Sequence, residues 1–262
     1  NISTELKVKD LAPGLRDVSL VGRVLAVHPV KAFRRPTGEE GKLRRLILGD
    51  STGTVEVYLW NEKAEEAGRA GLTSGLLVKI EHGYTRRGLS GRVELHLSEK
   101  GSLTVVPEGS PEAEGIPPLE EFFTSLSKLE EVSEANIRGV VSRVSQVKTF
   151  VRSSGEEGKV LRVRLAEGER EVSVVFWDEK VDEVEGVKPG DLLEIVGGKV
   201  REDPVEGFEV HVRRSSHVKL TPSAAPPPRV EPAPESVPLG ELKPGLRGIT
   251  VEGFMVEAPN LK

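Results

Sequence analysis

A stretch running from Gly38 to Trp60 occurs twice, and this recurrence limits the chain to architectures made of two similar modules in tandem. The pentapeptide Gly-Glu-Glu-Gly-Lys at Gly38 to Lys42 returns letter for letter at Gly155 to Lys159, and Trp177 stands where Trp60 stands, with no gap between. Gly22 and Gly139, Lys31 and Lys148, and Phe33 and Phe150 keep the same offset of 117, so the register holds from about Gly22 to Lys63. At 262 residues the chain is long enough for two cores of roughly 100 residues each.

Each copy reads as short strands. Val18 to Val27 is β-branched and apolar enough for a first strand, and Lys31 to Gly41 is a polar, basic loop carrying one aromatic, Phe33. Leu43 to Leu48 and Thr54 to Trp60 follow as strands joined by the turn Asp50-Ser51-Thr52-Gly53. Glu62 to Ala70 reads as a short acidic helix, with strands near Leu76 to Tyr84, Val93 to Leu97 and Leu103 to Val106. The second copy repeats the order through Ile137 to Val147, Val160 to Leu165 and Glu171 to Trp177, then an acidic segment, Asp178 to Glu185, and strands near Leu192 to Val196 and Phe208 to Val212. Five strands with a small helix after the third is the layout of a Greek-key barrel. Leu119, Phe122, Phe123, Leu126 and Leu129 recur at helical spacing and predict a helix before the second barrel.

The expected organisation is a first barrel over 1–107, an acidic linker over 108–118 and a second barrel with an N-terminal helix over 119–222. A Pro-rich linker follows over 223–238. Residues 239–262 read as the cut-off start of a third module. There Leu242 to Phe254 mimics Leu11 to Arg23 at an offset of 231, and Asn1 in place of Met suggests a fragment. No apolar run reaches the roughly 20 residues of a membrane span. Cysteine is absent, which removes disulfides, thiol catalysis and Cys-type zinc sites, and the Glu, Arg and Lys usage leans towards a thermophile.

Charge is segregated behind a formal net value of −5. From Val21 to Trp60 seven basic residues face four acidic ones, whereas from Pro107 to Ala135 eight glutamates face Lys128 alone. The acidity therefore sits in connectors, and a local basic face is what steers a polyanion.

Strand side chains alternate, so period two assigns the faces. Val55, Val57 and Leu59 share one side with nothing polar, which makes it the interior and sends Glu56, Tyr58 and Trp60 outward. In the second copy Val172, Val174 and Phe176 go in, and Ser173, Val175 and Trp177 go out. The preceding strand gives Arg44, Leu46 and Leu48 as the inner set, with Arg44 at the strand's open end, and Arg45 and Ile47 as the outer. Its counterpart puts Arg162 and Arg164 outside. An outward Trp among arginines, beside Phe33 or Phe150 on a basic loop, is a stacking platform for unpaired bases; capping of the barrel mouth under the next helix is the alternative placement. His96 and His211, in Glu-Leu-His-Leu and Glu-Val-His-Val, are expected to be exposed strand residues. Gly-Glu-Glu-Gly reads as a flexible acidic tip that brings Lys42 or Lys159 to the sheet edge. No catalytic constellation recurs between the copies, so no enzyme and no cofactor are expected.

The first Gly-Arg-Val, the basic loop with Phe33, Gly49-Asp50-Ser51-Thr52-Gly53 and Leu59-Trp60-Asn61-Glu62 together resemble the OB-fold domains of archaeal replication protein A. The resemblance covers both modules and the start of the third. It implies an all-β chain of tandem OB-fold, five-stranded Greek-key barrels with short helices. It also implies sequence-independent binding of single-stranded DNA in replication, recombination and repair, in the cytoplasm beside the nucleoid, together with other subunits or repair proteins. By that likeness Phe33 with Trp60, and Phe150 with Trp177, stack on bases, with Phe208 a further stacker in the second module and Tyr84 standing in for it in the first. Tyr58 joins them, and Lys31, Arg34, Arg35, Lys42, Arg45, Arg86, Arg87, Lys148, Arg152, Lys159, Arg162 and Arg164 are the expected phosphate contacts. An RNA-binding OB protein of translation or RNA metabolism, and an OB-type protein-interaction scaffold, stay open as alternatives.

Overall fold

The computed structural model describes residues 5–224 and two short strands, Ser236–Pro238 and Thr250–Glu252, which pair in parallel. Most of the expected third module, and the stretch 225–235 of the Pro-rich linker, lie outside the described residues. The chain divides after Ser223 into two compact units, and both barrels belong to the first.

The first barrel comprises β1 (Val18–Val27), β2 (Lys31–Arg34), β3 (Glu40–Asp50), β4 (Gly53–Trp60), α1 (Glu62–Arg69), β5 (Leu77–Arg87), β6 (Val93–Leu97) and β7 (Ser102–Val106). Strand β1 pairs with β3 on one side and β5 on the other, β3 with β4, and β4 closes the barrel by pairing in parallel with β6. The final strand of the barrel is split, because β6 pairs with the far end of β5 and β7 with its beginning. The second barrel repeats this with β8 (Glu134–Val144), β9 (Lys148–Val151), β10 (Glu157–Glu167), β11 (Arg170–Trp177), α2 (Glu179–Asp182), β12 (Leu192–Asp203), β13 (Gly207–Val212) and β14 (His217–Thr221), again with a parallel closing pair, β11 with β13. Two closed five-stranded barrels with few helices are tandem OB folds.

Alternation drives each closure. Leu46, Leu48, Val55, Val57 and Leu59 are buried in the first core, as are Leu161, Val163, Leu165, Val172, Val174 and Phe176 in the second. Burial of each such side chain contributes roughly 1.5–3 kcal/mol, which is enough to fix the register against a one-residue slip. Arg44 does not stay at an open strand end: its guanidinium lies over Gly68 in α1, where a Cβ would sit 2.9 Å from Nη2.

The stretch predicted as one helix before the second barrel folds instead as two 3₁₀ turns, Leu119–Phe122 and Leu126–Glu131, with Phe123 extended between them. Its apolar residues serve two surfaces, which one straight helix could not reach. Leu126 and Leu129 enter the second core, while Phe122 lies on Gly49 of the first barrel, where a Cβ would be 2.4 Å from its ring. Phe122 and Phe123 complete a seam cluster with Leu25, Ile47 and Val196, so Ile47 is covered rather than outward in solvent. Around this cluster Arg92 donates to both carboxylate oxygens of Glu134 at 3.0 and 2.8 Å. A polar cleft of about 670 Å³ opens between the barrels, walled by Glu56, Ser90, Arg92, Glu134, Asn136 and Arg213.

The acidic linker is not a free connector. Arg23, buried on β1, donates to the carbonyls of Pro117 and Gly75 and pairs with Glu108, which fastens the segment over Val21, Leu77 and Val106. The same guanidinium holds the Glu108 carboxyl below its usual value.

Candidate nucleic-acid interface

The expected basic loops are β-hairpins. Strand β2 pairs with the start of β3 so that Phe33 faces Gly41, and β9 pairs with β10 so that Phe150 faces Gly158. The repeated pentapeptide explains both. Gly38 and Gly155 turn the hairpin at φ of 88° and 86°, a region open to glycine. Gly41 and Gly158 give the Phe ring a flat bed, since a Cβ there would lie 2.4 Å from the ring in either copy. The tip is thus a defined turn, closed by Gly38 N–H donating to the Arg35 carbonyl at 2.9 Å.

On these beds the two phenylalanines meet the two tryptophans in matching poses. The Phe33 and Trp60 ring centroids lie 5.9 Å apart at 85°, and those of Phe150 and Trp177 lie 5.9 Å apart at 87°. Edge-to-face contact at that distance is a favoured aromatic geometry. Both tryptophans are half-buried on the outer faces of their barrels, as period two requires, and neither enters a core cluster.

The next residue bends the chain away sharply. Asn61 and Asp178 adopt φ of 52° and 51°, a strained region for any side chain, and each ends its strand directly after the Trp. The side chain secures the bend: Lys42 N–H donates to Asn61 Oδ1 at 3.2 Å, and Lys159 N–H to Asp178 Oδ1 at 3.2 Å. The sequence offered Asn61 only within the Leu59-Trp60-Asn61-Glu62 pattern and Asp178 only as the start of an acidic segment, although both follow the Trp in register.

The two histidines differ most from expectation. His96 and His211 do lie on the outer faces, but at 4% and 6% exposure they are covered, not solvated. His96 is flanked by Tyr58 (centroids 4.8 Å apart, 11° between planes), Trp60 (5.9 Å, 12°) and Tyr84 (5.3 Å, 23°), and Arg86 lies 5.2 Å from the Tyr84 centroid. Burial pushes the His96 imidazole below its ordinary value, against the neighbouring Glu94, which raises it. In the second barrel Val175 and Lys199 take the ladder positions of Tyr58 and Tyr84 beside His211. Ser173 and Val175, outward by register, are buried.

Phe208 is not on this surface. It shares the inner side of β13 with Val210 and Val212 and packs half-buried against the second core, because a residue two places before an inward Val must also point inward.

The basic residues fall into two groups. Lys31 and Arg34 extend from the first hairpin without an ion pair among the described residues, as does Lys148 from the second. Arg86 lies against Tyr84, and Arg87 donates to the Gly91 carbonyl at 3.3 Å. The others hold carboxylates: Arg35 with Glu39, Lys42 with Glu65, Arg45 with Glu56, Arg152 with Asp178, Lys159 with Asp182, Arg162 with Glu209, and Arg164 with Glu171 and Glu206. Arg152 also lies 5.1 Å from the Phe150 centroid. Among the described residues no group of three or more His, Asp or Glu is arranged to hold a metal.

No family model matches the chain. A curated relative, Replication factor A of Methanothermobacter thermautotrophicus, is 28% identical over 244 residues, which cover 92% of this chain and 29% of the relative. The chain therefore spans less than a third of that relative's length. Among solved structures, a replication protein A heterotrimer bound to single-stranded DNA aligns with a TM-score of 0.52 at 18% identity, over 83% of this chain and 52% of the other. The second OB-fold domain of replication protein A from Methanococcus maripaludis is 30% identical over 41% of this chain and 98% of that one, with a TM-score of 0.34.

Proposed function

We propose that this chain is a member of the archaeal replication protein A family, to one of whose proteins it is similar, and that its two barrels bind single-stranded DNA without sequence preference and act as a binding protein rather than an enzyme. The observation that carries the reading is the recurrence, on two outer sheet faces, of a Phe–Trp pair in the same edge-to-face pose over a glycine bed. Every base has a π-face, so such rings accept any sequence, at about 1–3 kcal/mol per stacked base. Duplex DNA keeps its base faces stacked on one another, which leaves these rings nothing to hold. Lys31, Arg34, Arg86, Arg87 and Lys148 supply phosphate contacts that need no prior displacement of a carboxylate. Arg45, Arg152, Arg162 and Arg164 contribute only as their carboxylate partners give way. A role in recombination and repair, a place beside the nucleoid and association with further subunits are extensions of the same proposal.

The test is a titration that follows the quenching of Trp60 and Trp177 fluorescence by oligo-dT, a matched RNA and a duplex of equal length. Strong quenching by the DNA single strand, weaker quenching by RNA and none by duplex supports the proposal. Equal response to all three contradicts it.

A further inference from the structure

An indole on an open sheet face ordinarily leaves its N–H to water. Here both tryptophans direct it at a buried histidine. Trp60 Nε1 donates to His96 Nδ1 at 3.0 Å, and Trp177 Nε1 donates to His211 Nδ1 at 3.0 Å. A ring nitrogen that accepts a hydrogen bond carries no proton, so the imidazole proton resides on Nε2. That nitrogen faces Glu94 Oε2 at 3.0 Å in the first barrel and Glu209 Oε1 at 2.6 Å in the second. Each barrel thus contains one directed chain, Trp to His to Glu, and in the second it continues to Arg162, which donates to Glu209 at 2.7 Å.

Ring geometry adds a second consequence. The indole and imidazole planes differ by only 12° and 20°, while their hydrogen bond runs edge to edge. Each covered imidazole thus holds the edge of its indole in a fixed orientation.

We propose that His96 and His211 are positioning residues for single-strand binding: each accepts the indole N–H of its tryptophan and so fixes the orientation in which that ring meets a base. The inference rests on the single-strand reading above. It accounts for two histidines buried at matching places on otherwise outward faces, and for the glutamate two residues before each of them. It also makes the neutral imidazole the working form, since protonation at Nδ1 sets an N–H against the indole N–H and opens the link.

The charged and titratable groups around each ring set the conditions. His96 is faced by Glu94 on its own strand, Tyr58, which donates to Glu56, on β4, and Tyr84 and Arg86 on β5. His211 is faced by Glu209 on its own strand, Lys199 across the ladder on β12 and, through Glu209, Arg162 on β10.

The test uses the full chain in three forms: wild type, a His96→Leu/His211→Leu variant, and a His96→Asn/His211→Asn variant whose amide oxygen accepts from the indole but cannot titrate. Two readouts are taken at pH 8, the anisotropy of a dye-labelled oligo-dT and the indole emission without DNA. At pH 8 the Leu variant binds on the order of tenfold more weakly than wild type, the value of one lost hydrogen bond, and the Asn variant recovers most of the loss. Indole emission without DNA shifts in the Leu variant and keeps its wild-type position in the Asn variant. Wild-type affinity or unshifted emission in a folded Leu variant overturns the proposal. Should the Leu variant fail to fold, a His96→Ala/His211→Ala variant is read in its place. A wild type that ignores oligo-dT while the Leu variant still shifts the indole emission refutes the single-strand reading and leaves the indole positioning intact.

Discussion

The two barrels share a stacking pair, its glycine bed and its buried histidine, and differ in the rings and charges beyond them. In the first, Tyr58 and Tyr84 flank His96, so that four rings line the outer face beside Phe33. In the second, Val175 and Lys199 occupy those ladder positions, and the surface shrinks to Phe150, Trp177 and His211. Charge follows the same division. The first barrel keeps Lys31, Arg34, Arg86 and Arg87 clear of carboxylates while Arg35, Lys42 and Arg45 are ion-paired, whereas of the second barrel's candidate cations Lys148 alone is clear and Arg152, Lys159, Arg162 and Arg164 are ion-paired. Duplication preserved the pose of one Phe and one Trp to within 2° of interplanar angle while the electrostatics drifted. The geometry of the ring pair is therefore a common element, and under the proposed function the first barrel is expected to be the stronger site.

The sharpest way to break this comparison is to disable one barrel at a time. Phe33→Ala with Trp60→Ala is expected to weaken oligo-dT binding by about a hundredfold, against about tenfold for Phe150→Ala with Trp177→Ala, given roughly 1–3 kcal/mol per base stacked. Anisotropy titrations read both, and equal losses or the reverse order end the asymmetry. A smaller change reaches the same surface indirectly. Gly41→Ala places a methyl 2.4 Å from the Phe33 ring, which must leave its bed, and binding falls on the order of tenfold while the melting temperature changes little.

Salt dependence sharpens the electrostatic half. Removing Arg86 deletes a cation available to phosphate, and the slope of log K against log salt falls by about 0.7. Arg162→Ala removes a charge already balanced by Glu209, and the slope falls by less. Identical slopes contradict the division into two groups of cations.

The smallest effect concerns the seam between the barrels. His28 and His217 meet there with ring centroids 3.8 Å apart, and burial holds both imidazoles below their ordinary value of 6.5, His28 at about 3. Unfolding restores the ordinary value, so the unfolded chain binds more protons between those limits, and the stability present at neutral pH is lost as pH falls from 6.5 towards 3. Between pH 7 and pH 5 the melting temperature is expected to drop on the order of 5 °C, and by less in His28→Phe. This window lies above that of Glu108 and Glu134, whose carboxyls are held below 4.5 by their arginines.

Much of the fold could be read from the chain, because a two-residue period and a repeated register are local signals. Val55, Val57 and Leu59, and their counterparts in the second copy, went inward as alternation demands. What escaped the sequence is what depends on a second element. The stripe from Leu119 to Leu129 matched a helical period, but its apolar side chains divide between the seam and the second core, and the backbone breaks at Phe123 to allow it. His96 looked exposed because its own strand alternates, yet Tyr58, Trp60 and Tyr84 from neighbouring strands cover it. Phe208 was taken as a stacker from the family resemblance, against the register that its own Val210 and Val212 dictate. The pairing of the basic face was hidden in the same way, since a lysine's carboxylate partner lies far along the chain: Glu65 for Lys42, and Asp182 for Lys159. The pentapeptide, which carries no motif chemistry, is explained only once Phe33 and Phe150 are seen resting on its second glycine.

The central claim, that stacking on two outward Phe–Trp pairs holds a single strand, is tested most directly by one titration of dye-labelled oligo-dT with the Trp60→Ala/Trp177→Ala double variant at moderate salt. The account predicts an intact fold by circular dichroism and a loss of affinity of at least about thirtyfold, at roughly 1–3 kcal/mol for each of the two stacked bases. A folded double variant that binds like the wild type would contradict it.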